Sequence, residues 1–304
     1  MITARILLAI LAVLAAFVAW RWFSTERGRS RAERTSPGLL RLAIGFVTNF
    51  FDTLGIGSFA PTTAAFKFRR VVADELIPGT LNVGHMLPTV AQGLIFIGIV
   101  RVGPVTLVSM MAASAIGAWL GAGIVARLPR RVIQLSMGVA LSVAAILFAL
   151  MNLDQLPSGG AALELTGAKL VVAITINFVL GALMTLGIGL YAPCLILVSL
   201  LGMNPIAAFP IMMGSCAVLM PVATLRFIRT GKYDLRAALG LALGGIPAVL
   251  LAAYVVHSLP LTWLRWLVVI IVLYAAALML LSARAKGPAA DITRAESAAD
   301  SSHL

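Results

Sequence analysis

Residues 53–61 read Thr-Leu-Gly-Ile-Gly-Ser-Phe-Ala-Pro, and residues 185–193 read Thr-Leu-Gly-Ile-Gly-Leu-Tyr-Ala-Pro. The two stretches lie 132 residues apart. Around them, ten of the nineteen positions in 43–61 are identical in 175–193, and Pro78 recurs as Pro210. Shared apolar composition does not produce that agreement in a fixed order. The chain therefore reads as a duplicated unit of about 130 residues with one extra helix in front.

The chemistry of the repeated stretch predicts a break in a helix. Gly55 and Gly57 free the backbone to leave the helical region. Pro61 lacks an N–H and suits the first turn of a new helix, which should start near Ser58. Gly187, Gly189 and Pro193 repeat the device. A helix start presents unpaired N–H groups and a partial positive charge, a setting that favours an oxyanion. The hydroxyls of Thr53, Ser58, Thr62 and Thr185 can add donors. The competing reading is close helix packing through glycine.

Composition decides the solvent around these breaks. Of 304 residues, 61% are hydrophobic and 11% charged, with a mean hydropathy of +1.04. Soluble domains carry about 25% charged residues. Lipid is the expected solvent, and helices are the way to satisfy the backbone there. Apolar runs cover about 6–23, 39–66, 80–100, 103–126, 132–153, 170–201, 208–228, 236–257 and 263–282. The runs 39–66 and 170–201 are too long for one plain span.

The reading by segments is an N-terminal helix at 1–23 and a basic cytoplasmic linker at 24–38. Repeat 1 covers 39–153, an external loop 154–168, repeat 2 169–283, and a disordered cytoplasmic tail 284–304. A cleaved signal peptide fits 1–23 less well, because Arg21 stands where a small-residue cleavage site is needed. The net charge of +12 comes from Lys and Arg placed between apolar runs, the pattern of membrane topology and not of nucleic-acid binding.

That charge also orients the halves. If 39–66 and 170–201 each cross once, 15 Lys and Arg lie inside and 8 outside. If each turns back at its Gly-x-Gly break, the tally is 19 inside and 4 outside. The second arrangement fits the positive-inside rule better and makes the repeats inverted. The expected fold class is an all-α polytopic membrane protein of the inner (plasma) membrane. It has one N-terminal helix, then two inverted-topology repeats, each with a Gly/Pro-broken first segment.

At the repeated motif the chain resembles the TauE/SafE sulfite-exporter family of membrane permeases, over about residues 39–282. That family carries a Gly-rich stretch followed by Pro early in each of two halves. Its members often have a longer glycine run; here it is Gly-Ile-Gly, followed by Ser58 or Leu190. The resemblance implies secondary transport of sulfite, sulfonates or other organosulfur anions.

Two titratable residues stand near the first break. Asp52 is a carboxylate inside an apolar segment. Such groups are costly there and usually face a cavity, which makes Asp52 a proton-coupling candidate. The alternative is a side chain that hydrogen-bonds the broken backbone. Its counterpart in the second half is Met184. His85 is the second candidate and shares a helical face with Asn82, a possible substrate contact. The alternative for His85 is a satisfied buried histidine. A membrane-embedded enzyme using Asp52 and His85 as acid and base, or a structural membrane protein, is the competing function class.

Cys194 and Cys216 form no CxxC or metal-like spacing and read as small buried hydrophobes. No Gly-rich phosphate loop with Lys is present, and no cofactor or metal is expected. The expected partners are a small anion, a coupling proton and the bilayer.

Overall fold

The computed structural model describes residues 2–27, 36–125, 130–153, 155, 160–184, 190–258 and 260–284. Eleven α-helices occur among them: α1 (Ile2–Glu26), α2 (Gly38–Thr53), α3 (Phe59–Arg69), α4 (Ile77–Ile99), α5 (Pro104–Val125), α6 (Arg130–Asn152), α7 (Gly167–Met184), α8 (Tyr191–Leu200), α9 (Ala208–Thr230), α10 (Leu235–Ser258) and α11 (Leu261–Arg284). Helix α1 thus runs three residues past the expected end at 23. Short 3-10 turns, Asp74–Leu76 and Pro205–Ala207, lead into α4 and α9. No described residue lies in a β-strand. The order from α2 to α6 recurs from α7 to α11, at an offset of about 131 residues.

Five helices, Arg5–Glu26, Ile77–Ile99, Gly167–Met184, Pro205–Thr230 and Leu235–Val256, are long and apolar enough to cross a bilayer. Large apolar side chains such as Val105, Trp119, Val171 and Ile270 are exposed. That surface suits lipid. The chain is an all-α polytopic membrane protein.

Contacts between helices give their directions. On α2 and α4, Asn49 meets His85, and one turn further Asp52 and Thr53 meet Gln92. The two helices are therefore parallel, and α3 brings the chain back between them. Phe66 of α3 and Val72 cluster with Ile44 near the start of α2 and with Ile77 and Leu81 at the start of α4. In the second half, Asn204 donates to the Ala162 carbonyl, just before α7. The α7–α8 pair therefore also returns to the end it left.

Helices α4 and α9 pack antiparallel. Gly79 lies against the Lys232 carbonyl, the Thr224 hydroxyl donates to the Asn82 carbonyl, Gly93 lies against Ala217, and Phe96 stacks on Phe209 at 5.2 Å. Gly138 of α6 meets Leu280 of α11, again start against end. Helix α2 lies along α10 and α5 along α7, with backbones in close contact through Gly45, Gly240 and Gly244 in one pair and Gly117 and Gly181 in the other. Small residues at these contacts let helices approach closely without a hydrophobic drive between them.

Helix α1 packs on α4 and α9. Leu11, Ala15, Val18 and Trp22 form its buried stripe at spacings of four, three and four. At its end, the Tyr233 hydroxyl donates to Glu26. The starts of α2 and α4, the ends of α3 and α9, and the start of α10 thus lie at one end of the bundle. Arg41, Lys67, Arg69, Arg70, Arg226, Arg229, Lys232 and Arg236 lie there too.

Candidate functional site

Helix α2 has 16 residues and spans about 24 Å, less than the ~30 Å hydrocarbon core. Helices α3 and α8, with 11 and 10 residues, span about 16 and 15 Å and cannot cross it. The chain therefore turns inside the helix layer between Thr53 and Phe59. Gly55 at φ +99° and Gly57 at φ +91° make that turn in a backbone region that L side chains avoid. A methyl at Gly55 would touch Met212, Ile271 and Leu195, all in the second half. At Gly57 no described residue comes within 4 Å of where a methyl would sit. Pro61 falls in the first turn of α3 and Pro193 in the first turn of α8, where neither removes a helical hydrogen bond.

Asp52 is 3% exposed. Its Oδ2 accepts from Gln92 Nε2 at 2.8 Å, and the hydroxyl and backbone N–H of Ser58 lie beside the same carboxylate. Ser58 is the N-cap of α3. The carboxylate therefore sits at the interior start of α3, where the helix dipole stabilises negative charge. Its hydrogen-bond partners are neutral groups.

Gln92 links this carboxylate to the second half. Its Nε2 also donates to Thr53 Oγ1 at 2.9 Å, and its Oε1 accepts from the Tyr191 hydroxyl at 3.0 Å. Tyr191 is the first residue of α8. Its hydroxyl also neighbours the Cys216 thiol, whose sulfur lies 3.6 Å from Met184 Sδ. The interior starts of α3 and α8 thus meet through Asp52, Gln92 and Tyr191.

His85, fully buried, belongs to a second set. Its Nδ1 lies 3.0 Å from Asn49 Oδ1 and its Nε2 3.0 Å from Thr62 Oγ1. Asn49 Nδ2 donates to the carbonyls of Gly45 and Leu241, so Asn49 Oδ1 is the acceptor and His85 Nδ1 carries the proton. A neutral ring then accepts from Thr62 at Nε2. Asp52 and His85 therefore have separate partners. Asn82 is half-buried, and its amide donates to the Pro78 carbonyl of its own helix. Thr53 donates to the Asn49 carbonyl. Thr185, Gly187 and Gly189 lie outside the described residues.

Three site residues escaped the sequence reading: Asn49, Gln92 and Tyr191. A signal for Gln92 exists. His85, Thr89 and Gln92 fall at i, i+4 and i+7 and put polar groups on one buried face of an apolar helix. Asn49 precedes Asp52 by one turn. Tyr191 is the counterpart of Phe59 in the repeated motif and looks there like an ordinary aromatic exchange. Among the described residues no group of three or more His, Cys, Asp or Glu could hold a metal ion, and Cys194 and Cys216 are both free and buried.

The fold and the buried polar chain at its interior helix starts define a polytopic helical membrane protein with interrupted helices, an architecture used by transporters. Residues 169–301 match the family model described as Sulfite exporter TauE/SafE. The match supports the family resemblance carried by the Gly-Ile-Gly…Ala-Pro motif. That family is one of membrane transporters. No curated protein matches the chain, and no solved structure does.

Proposed function

We propose that this chain is a secondary transporter of a small anion, of the sulfite, sulfonate or organosulfur class, working by alternating access between two inverted repeats in the plasma membrane. The observation that carries the reading is the Asp52 carboxylate at the interior start of α3, joined through Gln92 to the start of α8. Inversion is supported by the antiparallel packing of α4 on α9 and of α6 on α11, the helices that correspond across the 131-residue offset.

The chemistry follows from charge. The start of α3 is the place where a transported anion gains most from backbone N–H groups. With Asp52 ionised, that place is already taken by a negative charge. Two like charges about 4 Å apart repel by roughly 4 kcal/mol at an effective dielectric of 20. Protonation of Asp52 removes the repulsion and turns the carboxyl into a donor for a substrate oxygen. Anion and proton therefore enter together. At Gly57 no described residue comes within 4 Å of where a methyl would sit, which suits a substrate beside the helix start. The proposed substrate contacts are Thr53, Gly55, Gly57, Ser58, Pro61, Thr62 and Asn82 in the first half, with Thr185, Gly187, Gly189 and Pro193 in the second. Transport is favoured over acid–base catalysis because Asp52 and His85 share no hydrogen-bond partner.

The test is uptake into proteoliposomes of sulfite, a sulfonate, sulfate and chloride, with and without a pH gradient. Sulfite or sulfonate should accumulate when the outside is acidic. Absence of flux for every anion would reject a transport role.

A further inference from the structure

We propose that Gln92 is the positioning residue that passes the protonation state of Asp52 to Tyr191, and so from the first half of the protein to the second. This rests on the reading of Asp52 as the proton carrier.

A side-chain amide has a donor end and an acceptor end, and here both are engaged. Nε2 donates to Asp52 and Thr53, and Oε1 accepts from Tyr191. This orientation suits an ionised Asp52, which can only accept. A protonated Asp52 becomes a donor. It is matched when the amide turns over: the Asp52 O–H donates to Gln92 Oε1, and Gln92 Nε2 donates to the Tyr191 oxygen. The terminal amide torsion is broad and roughly two-fold, so both orientations are accessible.

The rest of the chain accommodates the reversal. The Tyr191 O–H then turns to the Cys216 sulfur, already its neighbour. The Cys216 proton is directed at Met184. The Thr53 hydroxyl, which donates to the Asn49 carbonyl, can turn its proton to Gln92 Oε1. Asp52, Thr53, Gln92, Tyr191 and Cys216 each keep a partner in either state, so the reversal leaves none of the five side chains unpaired.

The position of Gln92 makes this local change useful. It sits on α4, while Asp52 ends α2 and Tyr191 begins α8. Three elements that must shift relative to one another in alternating access meet at one amide. The described titratable groups around Asp52 are Tyr191 and Cys194 on α8, Cys216 on α9 and His85 on α4. The first three are neutral hydroxyl or thiol groups, and His85 is held by Asn49 and Thr62. The carboxyl is the group among them whose charge the amide senses directly.

The experiment is pH-difference infrared spectroscopy on the purified protein in lipid nanodiscs, which needs no substrate. The wild type should show a carboxyl band that appears on acidification. A side-chain amide band and a tyrosine C–O band should shift in step with it. Gln92→Met should lose the amide and tyrosine shifts while the carboxyl band stays. Tyr191→Phe should lose only the tyrosine shift. Asp52→Asn should lose all three. A tyrosine shift that persists in Gln92→Met, or a wild-type carboxyl band with no amide shift, overturns the relay and leaves Asp52 as a proton carrier. A wild type with no carboxyl band that Asp52→Asn removes overturns both.

Discussion

Asp52 and His85 are both buried polar groups on the α2–α4 contact, yet their hydrogen-bond partners differ. Asp52 accepts only from neutral donors at a helix start, so its charge is stabilised without a fixed cation and can be removed by one proton. Asp52→Asn keeps the shape and cannot titrate. With one proton per anion, a pH difference of one unit should drive about tenfold accumulation in the wild type. It should drive none in Asp52→Asn, while exchange at equal pH survives. Gradient-driven and exchange flux in the same vesicles decide it; unchanged gradient dependence would move the proton role elsewhere, with His85 next to test. His85, by contrast, ties α2 and α3 to α4. Thr62→Val removes the partner of Nε2 and should cost about 1–3 kcal/mol of stability with coupling unaltered. A thermal melt beside the flux assay separates these outcomes, and altered coupling would place the Thr62–His85 pair on the proton path.

Helix breaks and helix contacts use glycine for opposite reasons. At Gly57 the φ of +91° demands glycine while no described residue lies within 4 Å of where a methyl would sit. A side chain there pays backbone strain of roughly 1–2 kcal/mol and fills the gap beside the start of α3. Gly57→Leu, and Gly189→Leu in the second half, should insert into the membrane and lose flux. Normal transport by both would mean that the breaks serve folding alone. At Gly117 the φ is ordinary and the space is absent: a methyl would lie 1.9 Å from the Phe178 carbonyl oxygen. Gly117→Leu should separate α5 from α7 and cost more than about 3 kcal/mol, the upper part of the usual overpacking range. Gly98→Ala, where no described residue lies within 4 Å, should leave the melting temperature unchanged. Equal melting of Gly117→Leu and wild type would argue against the close contact.

Across the whole molecule, the basic residues gather at one end of the bundle. The ends of α3 and α9 and the starts of α2 and α10 carry them, while Arg5, Arg101, Lys169 and Arg265 are the described basic residues toward the opposite end. By the positive-inside rule we propose that the basic end is cytoplasmic and the 154–168 loop outside. Lys67→Cys and Arg130→Cys should then resist an impermeant thiol reagent added outside, and Ala161→Cys, at an exposed position, should react. The native Cys194 and Cys216 are buried and should stay silent. External labelling at both Lys67→Cys and Arg130→Cys would restore parallel repeats.

Much of the architecture was legible in the chain. Composition specified helices in lipid, because hydrocarbon leaves the backbone no other partner. The repeat located the first break, because glycine and proline act on the backbone locally and need no neighbour to do so; the second falls at 185–189, outside the described residues. Charge counting preferred the segment that turns back, because insertion responds to loop charge and not to the finished fold. That reasoning did not join Gln92, Asn49 and Tyr191 to the site. They lie 40, 3 and 139 residues from Asp52 in the chain, and only the return of α3 and the arrival of α8 bring the first and last together. The separation of Asp52 from His85 was equally hidden. A one-dimensional pattern places both on facing helices; the direction of each hydrogen bond depends on which neighbour offers a donor, and tertiary packing alone decides that.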